Sequence, residues 1–200
     1  MTTQYPERPL LPAPPPPGAI LILACGNDLR GDDALGARFV AEIERQKQTL
    51  PPAWRDAIVT HWQLQWGPET ALLLANRHTV CFVDAYAPNG IEASPHGAER
   101  AAAPPFVVTR LGPPDGTLAP LLASVGTHQV SPIALLAAAR LLGLALPASL
   151  WQIAIRGEHF TLGAPLSALA SRALAETLTW FWPWLVGETP ICTNGTITLN

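Results

Sequence analysis

Apolar residues along this chain follow two rhythms. Ala19 to Cys25 is an unbroken apolar run closed by Gly26-Asn27, the pattern of a strand covered on both faces. After a polar loop, Leu35, Phe39, Val40 and Ile43 recur at helical spacing between Ala34 and Gln46, with Arg38, Glu42 and Arg45 on the other face. Ala57 to Leu64 predicts a second strand, and Pro68 to Asn76 a helix with proline in its first turn. Thr79 to Asp84 predicts a third strand, apolar from Val80 until its last residue, and Phe106 to Leu111 a fourth, weaker one. Ser131 to Leu142 reads as a helix with Ser131 as N-cap, Pro132 in the first position and Gly143 as the stop. Trp151 to Arg156 is a fifth strand and Leu166 to Trp182 a closing helix. Trp180, Trp182 and Trp184 then read as packing around the end of that helix.

Strands alternating with helices imply βαβ units. The expected fold is α/β, a three-layer αβα sandwich around a twisted, mainly parallel but mixed sheet of about five strands. Residues 1–17 hold seven prolines and no apolar period, and are expected to be a proline-rich flexible leader. Residues 18–188 form the single expected domain. The tail 189–200 reads equally as a short edge strand or as disorder, and Ala87 to Pro105 as a surface excursion.

Composition narrows the class. With 200 residues, 48% of them hydrophobic, 14% charged and a net charge of -3, the chain suits one well-filled domain and is too weakly charged to coat a nucleic acid. No apolar run suits membrane insertion: Ile133 to Leu146 is interrupted by Arg140 and Gly143, and Leu178 to Val186 by Pro183. The N-terminus lacks a secretory pattern, so a cytoplasmic location is expected. Cys25, Cys81 and Cys192 lack zinc-type spacing and read as reduced structural thiols.

Charge is distributed unevenly. Eleven of the 15 acids lie in the first hundred residues, and Asp28, Asp32 and Asp33 crowd the loop after the first strand. In an open α/β sheet, ligands bind beyond the carboxyl ends of strands, and here those ends carry this loop, Asp84, and Thr127-His128-Gln129 ahead of the Ser131 helix. Two carboxylates and an imidazole at one sheet edge would suit a divalent metal with room for a further ligand. Each piece also has a plainer reading. The acids fit a cap on the first helix, which accounts for Asp32 but leaves Asp33 over; Asp84 fits a loop contact, and His128 a helix-stabilising loop residue.

Other motifs fail. Gly26 and Gly31 have P-loop spacing, but Asp32-Asp33 stands where Lys-Ser/Thr is required. The glycine spacing is wrong for a dinucleotide, and no Gly-x-Ser-x-Gly elbow is present.

The ordered set Gly26-Asn27-Asp28-Leu29-Arg30-Gly31-Asp32-Asp33-Ala34-Leu35-Gly36, Phe82-Val83-Asp84-Ala85 and Thr127-His128-Gln129-Val130-Ser131-Pro132 resembles the nickel-iron hydrogenase maturation endopeptidases. Ile155-Arg156-Gly157-Glu158 through Gly163 is similar to that family's late strand and loop. Ala34 departs from the glycine many members carry. The resemblance implies a twisted mixed sheet between helices and an enzyme that cuts a C-terminal extension from the hydrogenase large-subunit precursor after nickel insertion. It implies Asp33, Asp84 and His128 as metal-contacting and catalytic residues, with the nickel supplied by the precursor. Asp32 would cap and orient the loop, while Gly26, Asn27 and Gly36 would set its backbone. Two rivals keep the same residues: a chaperone that checks the nickel-loaded precursor without cutting it, and a hydrolase of another substrate with a tightly held metal.

Overall fold

The computed structural model describes residues 11–88, 103–112 and 130–187, and the backbone of a short strand further on. Six strands form one sheet: β1 (Ile20–Cys25), β2 (Ile58–Gln63), β3 (Thr79–Tyr86), β4 (Phe106–Arg110), β5 (Ser149–Arg156) and β6 (Thr196–Thr198). Their spatial order is β2-β1-β3-β5-β4-β6. β2, β1, β3 and β5 are mutually parallel, whereas β4 runs antiparallel to both β5 and β6. The sheet is therefore mixed, as expected, with β6 drawn from the tail the sequence left undecided. Helices α1 (Leu35–Lys47), α2 (Pro52–Ala57), α3 (Pro132–Leu141) and α4 (Ala168–Leu185) complete the layers.

All six residues of β1 are buried because both faces of this strand are covered. Ile20, Ile22 and Ala24 point toward α1 and α4, where Phe39, Ile43 and Phe181 fill one core. Leu21, Leu23 and Cys25 point the other way, into a second core with Phe82, Leu74 and the alanine- and leucine-rich face of α3. Phe39 and Phe181 meet edge to face at 5.1 Å, joining α1 to α4. Trp184 packs edge to face on Trp151 at 5.4 Å and stacks with Trp180, so these tryptophans do pack around the end of α4. The buried Cys25 and Cys81 thiols lie in opposite cores, and burial pushes the Cys81 thiol well up. No helix among the described residues is long and apolar enough to cross a membrane.

Several sequence expectations need correction. The helix expected at Pro68 to Asn76 is a 3₁₀ segment, Pro68–Leu74, and α2 went unforeseen because its six residues are too few to show an apolar period. Among the described residues of the 1–17 segment, Leu11 and Pro12 touch the domain. Leu11 packs against the α1–α4 core, and Trp54 Nε1 donates to the Pro12 carbonyl at 3.2 Å. The Ala87 to Pro105 excursion lies mainly outside the described residues. Replacing Phe39, wholly buried at the joint of α1 and α4, by Ala should destabilise the fold by about 3–5 kcal/mol in urea unfolding.

Candidate functional site

Ligand sites in open parallel sheets form where the strand order turns back. The order β2-β1-β3 makes the carboxyl ends of β1 and β3 that place. Ala24 pairs with Val83, so Cys25 stands level with Asp84 and Gly26 lies just beyond. Asp84 is not the last residue of its strand, as the apolar pattern implied. Pairing with β5 carries β3 on to Tyr86, with Asp84 beside Ala154. The half-buried Asp84 Oδ1 accepts from the Ala85 N–H at 2.8 Å.

The chain leaving β1 is bent back by Gly26, whose φ is 127°. A Cβ there would lie 2.1 Å from the Asp33 carbonyl oxygen, so a side chain would both strain the backbone and collide. Asn27 sets the next turn: its Oδ1 accepts from Leu29 N–H, and its own N–H donates to Asp33 Oδ2, both at 3.0 Å. Gly36 lets α1 start directly against β1, since a Cβ would lie 2.2 Å from the Cys25 carbonyl oxygen. Ala34, where the family resemblance shows a departure, sits at φ -71° and ψ -5°, right-handed backbone that accepts a methyl group.

Asp32 caps neither the 3₁₀ turn Gly31–Ala34 nor α1, both of which lack a side-chain cap. The plain reading of Asp32 as a cap on the first helix is therefore corrected, whereas its bonds do orient the loop. Asp32 is wholly buried, and its carboxylate accepts three backbone N–H groups from the segment after β5. Oδ2 takes Glu158 N–H at 2.8 Å and His159 N–H at 2.9 Å, and Oδ1 takes Ser167 N–H at 2.7 Å. Burial alone would raise its pKa, but these N–H groups and the Ser167 hydroxyl hold it below the ordinary carboxylate value. Three further bonds stitch the same two loops: Asp32 N–H to the His159 carbonyl, Arg30 Nε to the Phe160 carbonyl and Gly163 N–H to the Leu29 carbonyl. Gly157, part of the late strand and loop noted in the sequence, and Ser167, which was not singled out, thus belong to the site's support. Gly157 leaves room for Asp32, because a Cβ there would lie 2.8 Å from the Asp32 Cβ.

The structure brings Asp33 and Asp84 to neighbouring strand ends, with the Gly31–Ala34 turn in contact with β3. His128, with Thr127 and Gln129, lies outside the described residues. Among the described residues no group of three or more His, Cys, Asp or Glu could hold a metal ion. Two hard oxygen donors beside an open strand end nevertheless suit a divalent cation that brings ligands of its own. Ser131 begins α3 by accepting from Ala134 N–H at 3.2 Å, as its N-cap pattern predicts.

No protein-family model matches the chain, and no curated protein matches it in sequence. Solved structures do match. The hydrogenase maturating endopeptidase HybD of E. coli superposes with a TM-score of 0.55 at 24% identity, covering 84% of this chain and 93% of that one. An endopeptidase from Escherichia coli gives a TM-score of 0.59 at 21% identity over 90% and 96% of the two chains. The NiFe hydrogenase maturation protease HycI of Thermococcus kodakarensis gives 0.52 at 20% identity over 86% and 94%. This chain has the fold of the hydrogenase maturation endopeptidases. Within that fold, the loop carrying Asp33 is fastened to the loop after β5 by a buried carboxylate.

This fastening makes two predictions. Asp32→Asn places an amide NH₂ where only N–H donors converge, and should cost about 2–4 kcal/mol in urea unfolding. Because the folded pKa of Asp32 is depressed, its contribution to stability is complete above the ordinary carboxylate pKa and is lost as pH falls through the folded value. The midpoint of urea unfolding should therefore decline below about pH 4 in the wild-type chain, and less steeply in Asp32→Asn.

Proposed function

We propose that this chain is an endopeptidase that removes a C-terminal extension from the nickel-loaded large-subunit precursor of a nickel-iron hydrogenase, in the cytoplasm. The observation carrying this reading is the placement of Asp33 and Asp84 at the β1–β3 strand ends, in the fold of proteins named as hydrogenase maturation endopeptidases. The hairpin-like return of Gly26 to Asp33 and the paired register of β3 support the same pairing of acids.

In this reading the nickel belongs to the substrate. Asp33, Asp84 and His128 would contact it, so a precursor without nickel offers fewer contacts and is passed over. The bond broken is an amide: water adds to the carbonyl carbon, the C–N bond opens, and the amine leaves carrying a proton. Asp33 or Asp84, both half-buried, would take the proton from that water.

Incubating the chain with large-subunit precursor, with and without nickel, and reading intact mass tests the proposal. Loss of a C-terminal segment only in the nickel-loaded sample is expected. Asp33→Ala, Asp84→Ala and His128→Ala should each fold and slow that loss by about a hundredfold or more. A stable complex with precursor of unchanged mass would favour the metal-checking chaperone. Stoichiometric metal retained through purification would favour a metal-dependent hydrolase of another substrate.

A further inference from the structure

Two exposed leucines sit on the rim of the candidate site. Leu162 is 71% exposed and Leu29 66%, the highest values among the exposed large hydrophobic side chains of the described residues. They are not scattered singly. Gly163 N–H donates to the Leu29 carbonyl at 2.7 Å, so both leucines flank one backbone bond between the loop after β1 and the loop after β5. Both backbone groups of Leu29 are thereby fixed, since its own N–H donates to Asn27 Oδ1. Arg30 adds a charge to the same rim. Its Nε donates to the Phe160 carbonyl at 2.8 Å, which fixes the plane of an exposed guanidinium that makes no ion pair among the described residues. Four N–H donors remain on its two outer nitrogens.

Stability does not call for this arrangement. An apolar side chain held in water on fixed backbone gains nothing from folding, but it loses little freedom when a partner covers it. Its place in the fold says which partner. Leu29 and Arg30 share the turn of residues 26–34 with Asp33, and β3, which carries Asp84, lies between β1 and β5, the strands whose loops form the rim. A macromolecule that reaches the acids therefore meets the rim. We propose that Leu29, Leu162 and Arg30 form the contact that holds the nickel-loaded precursor at the site, against an apolar patch of the precursor that carries a carboxylate. This assignment rests on the function proposed above. The leucines supply burial, and the outer nitrogens of the fixed guanidinium pair a carboxylate in one orientation. A second copy of this chain is a poor occupant, since seating it on the rim would cover the acids that the substrate must reach.

Steady-state processing of nickel-loaded precursor, read by intact mass, tests the contact. Leu29→Ser combined with Leu162→Ser, its folding verified by the thermal transition, should raise KM about tenfold and change kcat little. Leu72→Ser, at a leucine 57% exposed in the Pro68–Leu74 segment, should leave KM as in the wild-type chain. Wild-type KM should rise with salt. Arg30→Gln should raise KM about threefold at low salt and flatten that rise, whereas Arg30→Lys should keep it. An unaltered KM in the combined leucine variant, or a salt dependence that survives Arg30→Gln, overturns the contact while the processing itself leaves the proposed activity standing. Absence of processing by the wild-type chain removes both. Dimerisation of the wild-type chain that the leucine variant abolishes hands the rim to a second copy and also overturns the proposal.

Discussion

The buried carboxylate of Asp32 is the contact on which the site's geometry depends. Taking an isolated carboxylate out of water costs several kcal/mol, and that cost is offset only when charged hydrogen bonds replace the lost hydration. Here they come from Glu158, His159 and Ser167, residues more than 120 positions away in sequence. The bonds are specific for an acid, since every group aimed at the carboxylate is a donor. The charge also sits at the start of α4, whose N-cap is Ser167, where a negative charge is favoured by the helix dipole. One side chain thus joins the loop after β1, the loop after β5 and the last helix.

The rest of the site inherits this fixation. Asp33 follows Asp32 directly, and its carbonyl lies so close to Gly26 that no side chain fits there. On the other side, β1 is enclosed by two cores and by parallel neighbours, so the strand end from which the turn departs is itself rigid. Functional groups carried on loops are placed accurately only when the loops are held by a stiff scaffold and by satisfied supporting bonds. Both conditions are met at β1 and β3.

Much of the fold was legible because β1, β3 and β5 are central strands whose apolar runs have no plausible use except burial on both faces. The Gly26 to Gly36 segment was equally legible, since close approach of backbones admits only glycine at its two ends. Less could be read where structure depends on distant partners. Pro68–Leu74 has a helix-like pattern, but nothing local distinguishes a 3₁₀ turn from an α-helix over seven residues. The extension of β3 past Asp84 is set by pairing with β5, and β6 by pairing with β4; neither partner is visible from the segment itself. The loop-orienting role of Asp32 was legible, but the plain reading of it as a helix cap failed for the same reason. An acid before a helix is usually a cap, and its true donors lie in a loop at the other end of the chain.

The adjacent acids Asp32 and Asp33 show why residue type alone does not assign a site. A carboxylate offers about four acceptor positions. Asp32 commits its positions to three N–H groups and the Ser167 hydroxyl, and none of its surface reaches solvent, so it has no capacity left for a cation. Among the described residues Asp33 accepts from the Asn27 N–H, on Oδ2, and remains half-exposed at the strand end. That difference favours Asp33, not Asp32, as the acid of the proposed site that can take a further donor or cation. It also gives the pair a division of labour: the neighbour with every acceptor satisfied holds the loop still, and the one with acceptors to spare can be used.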